Sequence, residues 1–151
     1  MITADPELLV DENSPIKRGC AFDLINMRLN LGVWEMFSRT KFRNRINLGD
    51  RLGFYVAGSK KKAGEIIAVA TVAGEAMERD ILPIHSEYNL DSPHRIFSLD
   101  SIIYLKHSPN LRNLFFTLQM SKGVSHNKWG ASLMGGAKQI SDTDWKTLGL
   151  P

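Results

Sequence analysis

The run Glu65-Ile66-Ile67-Ala68-Val69-Ala70-Thr71-Val72 constrains this chain more than any other stretch. It is apolar at nearly every position, so a strand built from it needs cover on both faces. Ahead of it, Gly49-Asp50 ends a basic segment and opens Arg51-Leu52-Gly53-Phe54-Tyr55-Val56-Ala57, whose aromatic and branched residues favour a second strand. Between the two, residues 58–64 supply two glycines and three lysines, an exposed hairpin loop longer than the two-residue type. This hairpin is expected at the centre of the fold, inside a small barrel or a sheet wrapped by helices. The stretch that feeds it, from Trp34 onward, reads as a helix-and-basic-turn unit.

A length of 151 residues, 43% hydrophobic and 23% charged, fits one globular domain with its own core. The net charge of +3 is small, but its distribution is uneven. Asp5, Glu7, Asp11 and Glu12 crowd the N-terminus, whereas Arg39, Lys41, Arg43, Arg45 and Arg51 are relieved only by Asp50. The positive charge is therefore local, open to two readings: a solvated charged face, which is what such runs usually are, or the place of an anionic partner. The single Cys20 excludes an internal disulfide, and no run reaches the length of a membrane span. With no signal-peptide pattern, the expected setting is cytoplasmic, without a membrane partner.

Residues 1–18 read as an extended lead-in, in which Leu8-Leu9-Val10 is the stretch suited to a short strand or helical turn, and residues 19–151 as the domain. A helix is expected to end near Asn30 or Leu31, before Gly32, and residues 75–93 form an irregular connection. A third strand spans 95–105. Ser108-Pro109 then has the form of a helix start, followed by the buried spacing Leu111, Leu114, Phe115 and Leu118. Residues 129–140 read as a short strand or a turn crossing the sheet. Ser141-Asp142-Thr143-Asp144 resembles a capping box that opens a closing helix.

No catalytic or cofactor motif stands out. The histidines His85, His94, His107 and His126 lack metal-ligand spacing, so neither metal nor cofactor is expected. Met134-Gly135-Gly136-Ala137-Lys138 lacks the spacing of a phosphate loop and reads as a glycine turn. Aromatic residues interleaved with bases do stand out: Trp34, Phe37, Arg39, Phe42, Arg43, Arg45 and Tyr55, then the lysine loop. Rings offer faces to nucleobases, and arginine and lysine neutralise phosphates. The alternative use of Trp34, Phe37 and Phe42 is packing of a helix on the sheet.

The order Val33-Trp34, a basic segment, Leu48-Gly49-Asp50-Arg51-Leu52-Gly53-Phe54-Tyr55-Val56, a lysine loop and Gly64-Glu65-Ile66-Ile67-Ala68-Val69 resembles the EVE family of the PUA-like superfamily. Trp129-Gly130-Ala131-Ser132-Leu133 and the serine-capped segment ending at Trp145 are similar to that family's last strand and closing helix. The resemblance covers residues 20–148 and implies an α+β fold, a small, partly open β-barrel flanked by helices, akin to YTH domains. It implies a non-catalytic module that accommodates a base of DNA or RNA, methylated for example, in an aromatic pocket. Carried over by motif, Trp34, Arg39, Tyr55, Trp129, Ser132 and Met134 would line that pocket. Arg43, Arg45, Lys60, Lys61 and Lys62 would hold phosphates without reading sequence. The competing reading is a hydrolase or nuclease acting on a modified nucleoside or RNA, as in the related ASCH group. Glu35 and Lys41 are the acid and base available for it ahead of Asp50.

Overall fold

The computed structural model describes residues 2–3, 21–76 and 93–151. They form an α+β fold around one curled sheet. Its strands are β1 (Ile2–Thr3), β2 (Val33–Met36), β3 (Arg51–Val56), β4 (Ile66–Glu75) and β5 (Arg95–Tyr104), in the order β1-β3-β4-β5-β2. All pairings are antiparallel except that of β1, which lies parallel to β3 with Ile2 opposite Tyr55. The helices are α1 (Ala21–Asn30), α2 (Leu111–Leu114), α3 (Trp129–Ser132) and α4 (Asp142–Thr147), with short 3₁₀ turns between them.

The central hairpin is covered on both faces, as its composition demands. Leu52, Phe54 and Val56 of β3 point with Ala68, Ala70 and Val72 of β4 into a core shared with Ala21, Ile25 and Leu29 of α1. Tyr55, Ile66 and Val69 point the other way, into a second core built from Leu111, Phe115, Leu118, Leu133, Trp145, Leu148 and Leu150. Strict alternation along β4 would set Ile66 with Ala68. A bulge at Ile67, where Phe54 pairs with Ala68 but Tyr55 pairs with Ile66, turns Ile66 to the second core instead.

Trp34 is where the sequence reading fails. After α1 ends at Asn30, as expected, Gly32 turns the chain at φ +65° into a strand rather than a second helix. Val33-Trp34-Glu35-Met36 pairs with Ser98 through Arg95, and all four are buried. A four-residue segment carries too little periodicity to separate the two states. Glu35 there receives two hydrogen bonds from the Arg28 guanidinium of α1, at 2.8 and 3.1 Å.

The C-terminal layer also departs in detail. Asn110, not Ser108, caps α2: its side-chain oxygen accepts from Asn113 N at 3.2 Å. The Pro109 carbonyl is engaged elsewhere, accepting from Ile66 N at 3.0 Å where β4 begins. Residues 129–140 contain the helical turn α3 rather than a strand, and Gly135 and Gly136 follow at φ +114° and +77°, outside the strand region. Ser141 does cap α4, accepting from Asp144 N at 3.1 Å. Asp144 does not complete a box; its carboxylate accepts from Gln119 N at 2.6 Å and Met120 N at 2.9 Å, tying the preceding 3₁₀ turns to α4. The expected lead-in strand Leu8-Leu9-Val10 and most of the 75–93 connection lie outside the described residues.

Two buried acids therefore hold this fold. Glu35→Ala leaves Arg28, which is 4% exposed, as an unpaired buried charge, with an expected loss of about 3–5 kcal/mol in urea unfolding. Asp144→Ala strands two backbone N–H groups beneath a side chain that is 1% exposed, and is expected to cost about 3 kcal/mol by the same measurement. Asp144→Asn, which keeps one acceptor, is expected to lose less.

Candidate functional site

Alternation along β3 presents Arg51, Gly53 and Tyr55 to the C-terminal layer. Opposite them stand Lys138 to Asp142 and, from α4 onward, Trp145, Leu148 and Leu150. Between the two lies a cleft of about 550 Å³, into which the basic turn contributes Phe42, Arg45 and Ile46. Its inner lining is buried and largely apolar: Tyr55 and Trp145 are each 6% exposed, Leu133 5%. The mouth carries the exposed side chains of Phe42, Arg45, Arg51 and Asp142.

The charges at the mouth are not balanced. Arg51 donates to Asp142 at 3.1 Å, and its guanidinium lies 4.7 Å from the Trp145 ring centroid, which fixes one wall. Asp50 accepts from Asn47 N at 2.8 Å and so closes the turn before β3. Among the described residues neither Arg45 nor Lys138 has a carboxylate partner; Arg45 instead rests over the Phe42 ring at 5.5 Å. Burial and then the neighbouring Lys41 hold the Lys138 ammonium below the usual lysine range. Burial pushes the Tyr55 phenol above its ordinary range, against the opposing charge of Arg112, so it stays a neutral donor and acceptor.

Phe42 is held at φ +59°, a left-handed conformation that a bulky aromatic residue rarely adopts. Its ring is nevertheless 37% exposed. The conformation is imposed by the turn around it, in which Arg45 N donates to the Phe42 carbonyl at 2.8 Å. Strain of this kind is found where a side chain must be aimed.

Of the pocket residues expected from the sequence, the cleft contains Tyr55 alone; of the phosphate-binding ones, Arg45 alone. Trp34 is 2% exposed, tilted against Phe54 at 4.6 Å between centroids and lying under the Arg28 guanidinium at 5.2 Å. It has no face free for a base in this conformation. Trp129 packs against Phe115 at 5.9 Å with Arg112 over it at 5.6 Å, and Ser132 donates to the Trp129 carbonyl within the same helical turn. Met134 is 71% exposed and, like Arg39, is not part of the cleft. Arg43 donates to the Thr40 carbonyl at 3.3 Å and braces the basic turn.

Lys60, Lys61 and Lys62 stand at the far end of the hairpin, five residue steps or about 17 Å along β3 from Arg51. Lys61 lies over the Phe22 ring at 4.3 Å, and Lys62 pairs with Glu65 at 2.9 Å. The lysine loop and the basic turn are thus separate patches. Phe42, Arg51, Lys138 and Trp145 are the cleft residues that the motif comparison passes over. The alternation of Phe42 with Lys41 and Arg43 was a visible signal for the first. Nothing local to Lys138 reveals that Lys41 lies beside it.

No group of three or more metal-ligating side chains occurs among the described residues, and none of their helices is long and apolar enough to cross a membrane. Neither a protein-family model nor a curated protein sequence matches the chain.

Lys138 is expected to lose its proton before an ordinary lysine does, with a midpoint below 10.5. The folded protein disfavours its charged form, so the ammonium gives up its proton at a lower pH than an exposed lysine does. A carbon-13 titration of the lysine side chains checks this, and Lys41→Met, which removes the repulsion but not the burial, should move the midpoint part of the way back up.

Proposed function

We propose that the protein is a nucleic-acid-binding module that takes one base, unpaired or flipped from its stack, into the cleft between β3 and the C-terminal layer. The observation that carries this reading is the composition of that one cavity: buried Tyr55 and Trp145, an exposed and strained Phe42 at the mouth, and Arg45 and Lys138 without carboxylate partners among the described residues. Flat apolar surfaces receive a base, and unmatched cations receive its phosphates. A cleft of about 550 Å³ falls within the range of small-ligand sites.

On this reading the fold is a PUA-like, partly open barrel of the EVE type, supported by the curled sheet and its flanking helices and by the sequence motifs. The base pocket differs from the one those motifs imply. Trp34 serves the core, and its role passes to Tyr55, Trp145 and Phe42. A methyl group on the base adds about 1 kcal/mol of apolar contact, so preference for a methylated base depends on how fully the cleft excludes water. Binding without catalysis is the simpler use of such a lining. On this reading the hydrogen-bonding groups of the lining, the Tyr55 phenol among them, would read a base edge.

The test is quenching of tryptophan fluorescence by short single- and double-stranded DNA and RNA, with and without methylated cytosine or adenine, at fixed low salt. Phe42→Asn, which tolerates the left-handed backbone, is expected to weaken binding about tenfold, as loss of one stacking contact does. Arg45→Ala should weaken it and flatten its salt dependence. Trp34→Phe should lower stability and leave affinity unchanged. Equal binding of every oligonucleotide, indifferent to Phe42→Asn, would reduce the reading to a basic surface, and no binding would overturn it.

A further inference from the structure

Residues 40–41 and 135–136 approach each other at backbone distance. Lys41 N donates to the Gly135 carbonyl at 2.7 Å, and the Lys41 stem lies on Gly135 so closely that a Cβ there would sit 2.7 Å from Lys41 Cδ. The Thr40 side chain covers Gly136 in the same way, 3.1 Å from the place of its Cβ. The two glycines that made this segment look like a plain turn are therefore the condition for contact between two basic segments. That contact sets Lys41 on the segment that carries Lys138, which lines the cleft and feels the charge of Lys41, and no carboxylate among the described residues pairs with either. Among the described residues the Lys138 ammonium has the ring face of Phe115, 5.8 Å away, as a compensating contact. Arg45 completes the same side of the cleft.

Two like charges held near each other, one of them partly buried, repel each other, and an anion between them reverses the sign of that interaction. We propose that the Lys41–Lys138 corner, closed by Gly135-Gly136, is a phosphate subsite that holds a phosphate group of the ligand whose base enters the cleft. This rests on the cleft reading above and adds to it the point at which the ligand's backbone is fixed. The lysines donate to phosphate oxygens from two sides, while Arg45 meets the same anion or its neighbour from the mouth. A terminal phosphate monoester and an internucleotide diester present the same oxygens to this corner.

The experiment compares the wild type with Lys41→Met, Lys138→Met and Lys41→Arg. Methionine keeps an unbranched stem against Gly135, and a melting curve for each variant checks that it folds. Each protein is titrated with a nucleoside, its 5′-mononucleotide, inorganic phosphate and a short single-stranded oligonucleotide without terminal phosphates. A terminal-phosphate site predicts that the mononucleotide binds about tenfold more tightly than the nucleoside, that either methionine variant erases this ratio, and that Lys41→Arg keeps most of it. An internal-phosphate site predicts instead that the salt slope for the oligonucleotide falls by about 0.7 in each methionine variant, the share of one single-strand phosphate. An unchanged ratio together with an unchanged slope overturns the subsite, and if Phe42→Asn still weakens the oligonucleotide, the cleft reading survives it. Conversely, inorganic phosphate lost in Lys138→Met, with no binding of nucleoside or oligonucleotide by any protein, retains the anion site and rejects the base cleft.

Discussion

The fold depends on one hairpin being buried twice. Because β4 carries an apolar side chain on nearly every position, the chain must provide two covers. It does so from opposite ends, α1 with Trp34 and Met36 on one face and the last forty or so residues on the other. The bulge at Ile67 apportions the strand between them, giving the α1 side Ile67, Ala68, Ala70 and Val72, where the two small alanines leave room for Phe54 and Trp34, and the other side Ile66 and Val69. The sheet curls because its ladder is interrupted at three places along β3, β4 and β5, each adding local twist.

The α1 side is fastened by a charge pair as well as by apolar contact. Arg28 reaches from the helix to Glu35 on β2 and lies over both Trp34 and Phe37, so one guanidinium serves an ion pair and two rings. A buried pair of this kind contributes little net stability compared with apolar residues in its place, because desolvation offsets attraction. Burial holds Arg28 below its usual range even with Glu35 opposing the shift. Its effect is on geometry: only one rotation of α1 places Arg28 against β2. That same rotation seals Trp34 inside. The tryptophan that most resembles a ligand-binding residue in the sequence is thus the one most firmly committed to the core.

The hairpin, α1, the third strand and the serine cap at 141 were legible in the sequence because each rests on local chemistry: apolar runs, a glycine break, a hydroxyl before an acid. What was not legible depends on pairing at a distance. Trp34 becomes a strand residue only because Phe97 lies opposite it, and Pro109 is withdrawn from helix initiation only because Ile66 needs an acceptor. Asp144 sits where a capping acid would, yet its partners are 24 and 25 residues away. The candidate site follows the same rule. Tyr55 and Arg45 could be named from the β3 pattern and the basic run, whereas Trp145, Arg51 and Lys138 join them through contacts between residues some ninety positions apart.

The position of the cleft follows from how the second cover is made. An uninterrupted helix laid on β3 would close over it, but residues 111–148 form only short helical pieces of three to six residues. Such pieces pack their apolar residues at separate points and leave space between them. At Gly53 the strand itself offers no side chain to fill that space, and the nearest atoms to its absent Cβ, from Ile66, Leu150 and Trp145, remain at 3.6–3.8 Å. The gap is then bordered by whatever the ends of the two layers carry. Here those ends are the basic turn, which brings Arg45, and the segment 138–142, which brings Lys138 and Asp142; Asp142 is engaged by Arg51, so Arg45 and Lys138 are the cations left at the opening without a carboxylate partner among the described residues. On the proposed reading an anion is met at that opening, by Arg45 and Lys138, and not by the molecule as a whole.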